Sequence, residues 1–136
     1  MRHLLSRERV AELATVTAEG RPHLVPFCFA LEGELLVSAV DEKPKRSRDL
    51  QRLANIRADP RVAVLAHRYD EDWSALWWVR VDGTAEIWEQ GARYDHAIKL
   101  LVEKYEQYRE APPRGAVIAI TIERWQGWSP GRSAPP

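Results

Sequence analysis

Four of the six residues from Lys43 to Arg48 are cationic (Lys43, Lys45, Arg46 and Arg48), in a chain whose formal net charge is zero. They follow an apolar run at residues 35–40 and precede a stretch with helical spacing. A basic turn that ends a strand just where a helix starts suits an anion, above all a phosphate. The side chains supply positive charge, and the first amides of the helix supply unpaired N–H donors. Lys and Arg clusters in turns are more often solvated surface. Two features separate this one from that average. The rest of the chain balances its charges, so the excess is local, and Pro44 stiffens the turn.

The other reactive side chains form no catalytic set. His3, His23, His67 and His96 are scattered, and no two stand at metal-binding spacing. There is no nucleophile elbow and no Walker loop. His23 and His67 read as satisfied strand residues. The single cysteine, Cys28, excludes an internal disulfide and a cysteine metal cluster. Between Phe27 and Phe29 it reads as a buried thiol. No catalytic side chain and no metal are expected.

Six tryptophans are many for 136 residues. Trp73, Trp77, Trp78 and Trp88 fall in or near one hairpin, and Trp125 and Trp128 come late in the chain. Neighbours on a strand point to opposite faces, so Trp77 and Trp78 cannot share one core. One of them must meet a partner chain, a ligand ring or water. Core packing plus a dimer contact is the preferred reading, ahead of direct stacking on a ligand.

The elements that must position these residues are short. The length fits one domain, taken as residues 1–128, with a Pro- and Ser-rich tail at 129–136 expected to be disordered. An apolar content of 45% beside 29% charged residues describes a soluble globular chain. Zero net charge argues against a general nucleic-acid or membrane binder. No apolar run approaches the roughly 20 residues that cross a bilayer. The first residues turn charged too soon for a signal peptide, so a cytoplasmic location is expected. Ser6 is placed as the cap of a short helix running to Glu12. Strands are expected at 13–17, 23–31, 35–40, 62–67, 77–88 and 116–122. Pro26 must then face an edge, a bulge or a ligand. Glu32-Gly33 makes a tight hairpin turn, and Gly83 marks a bend or bulge. Leu50, Leu53, Ala54 and Arg57 give one helical stripe; Tyr94, Ile98, Leu101, Val102, Tyr105 and Tyr108 give another. Six strands with little βαβ rhythm predict a small antiparallel barrel.

Several stretches, taken together, resemble a known family. Arg9-Val10-Ala11-Glu12-Leu13-Ala14-Thr15-Val16-Thr17 and Gly20-Arg21-Pro22-His23-Leu24-Val25-Pro26 look like the start of the pyridoxamine-phosphate-oxidase-like flavin and deazaflavin oxidoreductases. Asp41-Glu42-Lys43-Pro44-Lys45, Leu50-Gln51-Arg52-Leu53-Ala54-Asn55-Ile56 and Asp59-Pro60-Arg61-Val62 are similar to that family's basic turn and helix. Asp72-Trp73, Leu76-Trp77-Trp78-Val79-Arg80-Val81 and Gly83-Thr84-Ala85 resemble a subgroup that uses the deazaflavin coenzyme F-420.

The resemblance implies a mainly β (α+β) fold, a six-stranded antiparallel split β-barrel of the FMN-binding type with short flanking helices. It implies a homodimer with cofactor sites at the subunit interface. Lys43, Lys45, Arg46 and Arg48 are then the candidates for the cofactor phosphate. Val25, Pro26 and Phe27, with Val37, Ser38 and Ala39, would wall the ring system, largely through backbone groups. The partner subunit's Trp77 or Trp78 would close the pocket. The implied reaction is hydride transfer between F-420 and an electron-poor or conjugated small molecule. FMN is the alternative cofactor, and a non-catalytic carrier the alternative role. Arg52, Arg57, Arg61 and Arg68 are candidates for the carboxylates of a deazaflavin tail. Such an enzyme needs no acid–base triad, because its cofactor carries the chemistry. A small barrel that binds single-stranded nucleic acid is the reading from another class. The neutral charge balance opposes it.

Overall fold

The structure, a computed structural model, describes residues 1–40 and 47–130, with the backbone alone for 47–50. The expectations placed on Lys43, Lys45, Arg46, the Arg48 side chain and the tail 131–136 therefore lie outside the described residues.

The chain runs α1 (Arg2–Arg7), β1 (Ala11–Val16), β2 (Pro22–Phe27), β3 (Ala30–Glu32), β4 (Leu35–Ala39), α2 (Ser47–Ala58), β5 (Arg61–Arg68), a short 3-10 turn, β6 (Trp77–Trp88), α3 (Ala92–Lys104), α4 (Glu106–Glu110) and β7 (Val117–Trp128). Seven strands form one sheet in the order β2-β1-β5-β6-β7-β4-β3. Every pairing is antiparallel.

Seven strands stand where six were expected, because the run 23–31 breaks at Cys28 and Phe29. That break has a topological consequence. β2 and β3 are the two opposite edges of the sheet, yet Cys28 and Phe29 alone join them. Two intervening residues, three Cα–Cα steps, reach only about 10 Å, so the two edges must lie side by side. The sheet is thereby rolled into a barrel with an unpaired seam between β2 and the β4–β3 pair.

Alternation along the strands fills the barrel. Leu13, Phe27, Leu36, Val64, Val79, Val81, Ile118 and Ile120 are buried in one cluster, which Leu5 of α1 joins. A second, smaller cluster lies under α3, where Val37, Val117 and Ala119 meet Ala97, Leu101 and Tyr105. This explains the run in β7 that is apolar on both faces: even positions face the barrel and odd positions face the helix. Pro26 sits on edge strand β2, opposite Glu12, where its missing N–H breaks no ladder. The register of β6 on β7 shifts between Asp82 and Gly83, which is the expected bulge.

Four local expectations are corrected. Ser6 ends α1 rather than starting it, and its hydroxyl donates back to the His3 carbonyl at 3.1 Å. The two-residue turn of the β3–β4 hairpin is Gly33-Glu34, since Glu32 still pairs with Leu35. In α2 the buried face is Arg52, Leu53, Asn55 and Ile56, leaving Ala54 and Arg57 exposed. Its polar members are held inside by bonds: Gln51 Nε2 donates to Asn55 Oδ1 at 2.6 Å, and Asn55 Nδ2 donates to Thr15 Oγ1 at 3.0 Å. The single helix expected from Tyr94 to Tyr108 breaks at Tyr105, whose φ of −113° and ψ of 123° are extended. The Tyr105 hydroxyl anchors this break by accepting from the Phe29 N–H at 3.0 Å and lying 2.8 Å from the Arg9 carbonyl. Among the described residues no helix is long and apolar enough to cross a membrane.

Candidate functional site

The seam opens into a cleft of about 700 Å³. Pro26, Phe27 and Cys28 at the end of β2 form one wall, and Ser38, Ala39 and Val40 at the end of β4 form the wall opposite. Arg52 of α2 and the segment 110–114 complete it. The walls are apolar and rigidly tied. The Ser38 hydroxyl donates to the Cys28 carbonyl across the seam at 2.7 Å. The Val40 N–H donates to the Ala116 carbonyl at 2.9 Å. The Tyr94 hydroxyl donates to the Gly115 carbonyl at 2.9 Å. A Cβ on Gly115 would fall 2.4 Å from the Val40 carbonyl oxygen, so glycine is what lets this loop lie against β4.

The buried charge is Arg52, 9% exposed and set in the cleft wall; the other two charged lining residues, Glu110 and Arg114, are exposed and opposite in sign. A guanidinium held in a water-poor wall acts on an anion far more strongly than the same group in solvent. The other arginines considered for a cofactor tail are placed differently. Arg61 forms a fork with Asp59, at 3.0 and 2.7 Å, and its guanidinium holds the Asp59 carboxyl down at about 2. Arg68 is 2.9 Å from Glu8, and Arg57 is exposed.

Of the sequence-predicted wall, Pro26, Phe27, Ser38 and Ala39 come together in the cleft. Val25 and Val37 flank them in the strands without lining it. Val25 packs against the barrel core, and Val37 is fully buried under α3. Neither Trp77 nor Trp78 lines the cleft of its own chain. Trp77 packs on the barrel core and borders a small hollow with Leu4, Arg7, Glu8 and Arg68. Trp78 stands in register with His67 on one side and Trp128 on the other. Val40, the last described residue before the basic run, and Arg52, in the helix after it, both line the cleft.

Sequence reasoning missed Cys28, Tyr108 and the segment 110–114. Cys28 is half-buried and faces the cleft, because the chain crosses from one sheet edge to the other at that point. The adjacent prolines Pro112-Pro113 are the signal the sequence offers for this wall, since each fixes its backbone φ and stiffens the segment. Among the described residues no three His, Cys, Asp or Glu side chains gather to hold a metal.

A rolled seven-stranded antiparallel sheet with a cleft in its seam defines a split barrel. The chain belongs to the pyridoxamine 5'-phosphate oxidase family, whose model matches residues 1–129. It is similar to a FAD-binding protein from Mesorhizobium loti, at 23% identity over 92% of this chain and 88% of that one, with a TM-score of 0.69. It is similar to a heme binding protein from Mycobacterium smegmatis, at 21% identity over 98% of this chain and 55% of that one, with a TM-score of 0.76. A conserved hypothetical protein from Mycobacterium tuberculosis is similar at 22% identity over 99% of this chain and 89% of that one, with a TM-score of 0.75. At these identities the likeness establishes the fold. No curated protein matches the chain.

Proposed function

We propose that the protein is an oxidoreductase that binds deazaflavin F-420, or FMN in its place, in the seam cleft and reduces an electron-poor small molecule. The observation that carries the reading is the cleft itself. Two apolar strand ends face each other across it, a buried guanidinium stands in its wall, and a cluster of four cations lies between two of its lining residues in the chain. Such a site fits a planar ring attached to an anionic tail. Pro26, Phe27 and Ala39 would lie along the ring. The outer edge of β2 pairs with no strand and offers backbone groups to it. Lys43, Lys45, Arg46 and Arg48 would take the phosphate, with Arg52 behind them. When bound, the reduced cofactor would supply a hydride to an electron-poor carbon, the proton coming from solvent at the open side of the cleft, with one cofactor oxidised per double bond reduced. The strand ends would shield one face of the ring and fix its orientation.

The FAD-binding relative supports a flavin-class occupant. The heme binding relative suggests another, but no histidine is among the described residues that line this cleft. The test is to titrate F-420, FMN and heme separately into the purified protein and follow fluorescence or absorbance. Tight F-420 binding and oxidation of its reduced form by an acceptor support the reading. Binding without turnover makes the protein a carrier. Tight FMN binding with no F-420 affinity reverses the order of the cofactors. Lys45→Ala is expected to weaken cofactor binding by about 1.5–3 kcal/mol, the size of a charged hydrogen bond. An unchanged dissociation constant would remove Lys45 from the site. The reading carries with it the cytoplasmic location and the homodimer expected from the sequence.

A further inference from the structure

A second hollow of about 440 Å³ adjoins the cleft and shares two of its walls, Cys28 and Tyr108. Its remaining lining is Arg9, Tyr105, Glu106 and Gln107. The rings of Tyr105 and Tyr108 meet edge to face, with centroids 5.5 Å apart and planes at 71°. The Arg9 guanidinium lies over the Tyr105 ring, 5.7 Å from its centroid, and donates to the Lys104 carbonyl at 2.7 Å.

Behind this wall stands a second cation. Lys104 Nζ is buried 3.8 Å from the centroid of the Phe29 ring and 5.3 Å from that of Tyr105. It has no hydrogen-bond partner among the described residues. Burial, with the nearby Arg9 charge, pushes this amine down to about 8, so at neutral pH it remains mostly protonated. Glu106 is the acid in the lining, and it is exposed to solvent. The hollow is therefore aromatic-walled, with Arg9 and Glu106 both exposed in its lining and the buried Lys104 amine behind it as the additional positive charge, and it is large enough for a small ring compound.

We propose that this hollow seats the second reactant, a planar aromatic carboxylate or similar organic anion, whose far edge reaches past Cys28 and Tyr108 to the ring held in the cleft. The inference rests on the proposed cofactor site. Hydride donor and acceptor must come within contact distance, and two adjacent cavities that share Cys28 and Tyr108 at their border seat the two molecules side by side without overlap, the acceptor passing those two side chains to meet the donor. Arg9 supplies the contact to the anion. Lys104 acts through the wall as a positive field in a water-poor place. The tyrosine rings set the preference for a flat ligand.

The test uses the full chain, with 4-nitrobenzoate and its neutral methyl ester as probes, by calorimetry at pH 7 with and without saturating cofactor. The carboxylate is expected to bind at least fivefold more tightly than the ester, and to keep binding when the cofactor is saturating. Arg9→Gln should bring the two probes within twofold of each other, and Lys104→Met should reduce the preference about threefold. Gln107→Trp alters an exposed residue and fills the hollow; it should abolish both probes while leaving cofactor affinity within twofold. Equal binding of acid and ester, displacement of the probe by cofactor, or full binding to Gln107→Trp overturns the proposal. Should neither F-420 nor FMN bind while the probe pattern holds, the hollow stands as an anion site and the cofactor reading falls. Should cofactor bind and the probes fail, the hollow alone is misassigned.

Discussion

At the scale of single residues, the least comfortable group is Lys104. An amine buried against two aromatic rings loses its water and gains only partial return from ring faces. Desolvation is the main cause of its lowered affinity for protons; Arg9 adds to it, and Cys28 and Glu8 oppose it. The sign follows from linkage. The native state releases this proton at about 8, while the unfolded chain holds it to the ordinary lysine value of 10.5. Between those values the unfolded state binds more protons, so stability rises with pH across that window. Lys104→Met, close in volume and uncharged, is expected to stabilise the protein at pH 7 by about 1 kcal/mol, a figure reduced for the residue's partial exposure. The gain should shrink toward pH 10, where the native amine is already neutral. Thermal unfolding at pH 7 and pH 10 checks this, and an equal gain at both would refute it. A group retained at such a cost fits the anion-attracting role argued for the hollow.

At the scale of elements, the barrel depends on how closely β6 and β7 approach. A Cβ on Gly83 would lie 2.3 Å from the Thr121 carbonyl oxygen and 2.9 Å from Ile120 Cγ2. The backbone oxygen cannot rotate away as a side chain would, so the strands must part. Gly83→Ala is expected to destabilise by about 2–3 kcal/mol, the upper range for overpacking. Urea unfolding should show a lower midpoint with an unchanged slope. Gly20 provides the control. It has a φ of +84° but nothing within 4 Å of a built Cβ, and Gly20→Ala is expected to cost about 1 kcal/mol through backbone strain alone. A Gly83→Ala loss no larger than the Gly20→Ala loss would show that the bulge tolerates a methyl group.

The same elements show what the sequence made legible. β6 was readable residue for residue, because Val79, Val81 and Ala85 alternate against polar neighbours. Of the strand-end residues that the resemblance assigns to a cofactor wall, Pro26, Phe27, Ser38 and Ala39 share one cleft, whereas Val25 and Val37 do not line it. The break at Cys28 was not legible, because 23–31 is continuously strand-like and only closure of the barrel forces the turn. The polar face of α2 was hidden for a related reason. Periodicity marks apolar residues, whereas Asn55 is buried at 1% exposure by its bond to Thr15, 40 positions earlier. The hollow behind Cys28 joins Arg9 to residues 105–108, a pairing no local pattern encodes.

At the scale of the whole molecule, one chain leaves much aromatic and aliphatic surface uncovered. Trp73 is 68% exposed, Leu24 65%, Tyr69 63% and Val10 50%. Trp73 and Tyr69 stand together, with the indole N–H 3.5 Å from the phenol oxygen. Scattered apolar residues on a surface need no explanation, but clustered aromatics mark a contact surface. Trp77 and Trp78 follow in the next strand and are only half-buried. Leu24 lies on β2, whose outer edge pairs with no strand. A second copy of the chain would cover these residues and bring its own Trp77 and Trp78 toward a cleft that has no tryptophan among its described lining residues. Sedimentation at micromolar concentration is expected to give a dimer. Trp73→Arg should shift it toward monomer by at least tenfold in dissociation constant, because a charge buried at an interface without a partner is strongly disfavoured. If the dimer closes the cleft, cofactor affinity will fall with the dimer population in the same variant. A protein that sediments as a monomer and still binds cofactor at full strength would show that one barrel holds a complete site.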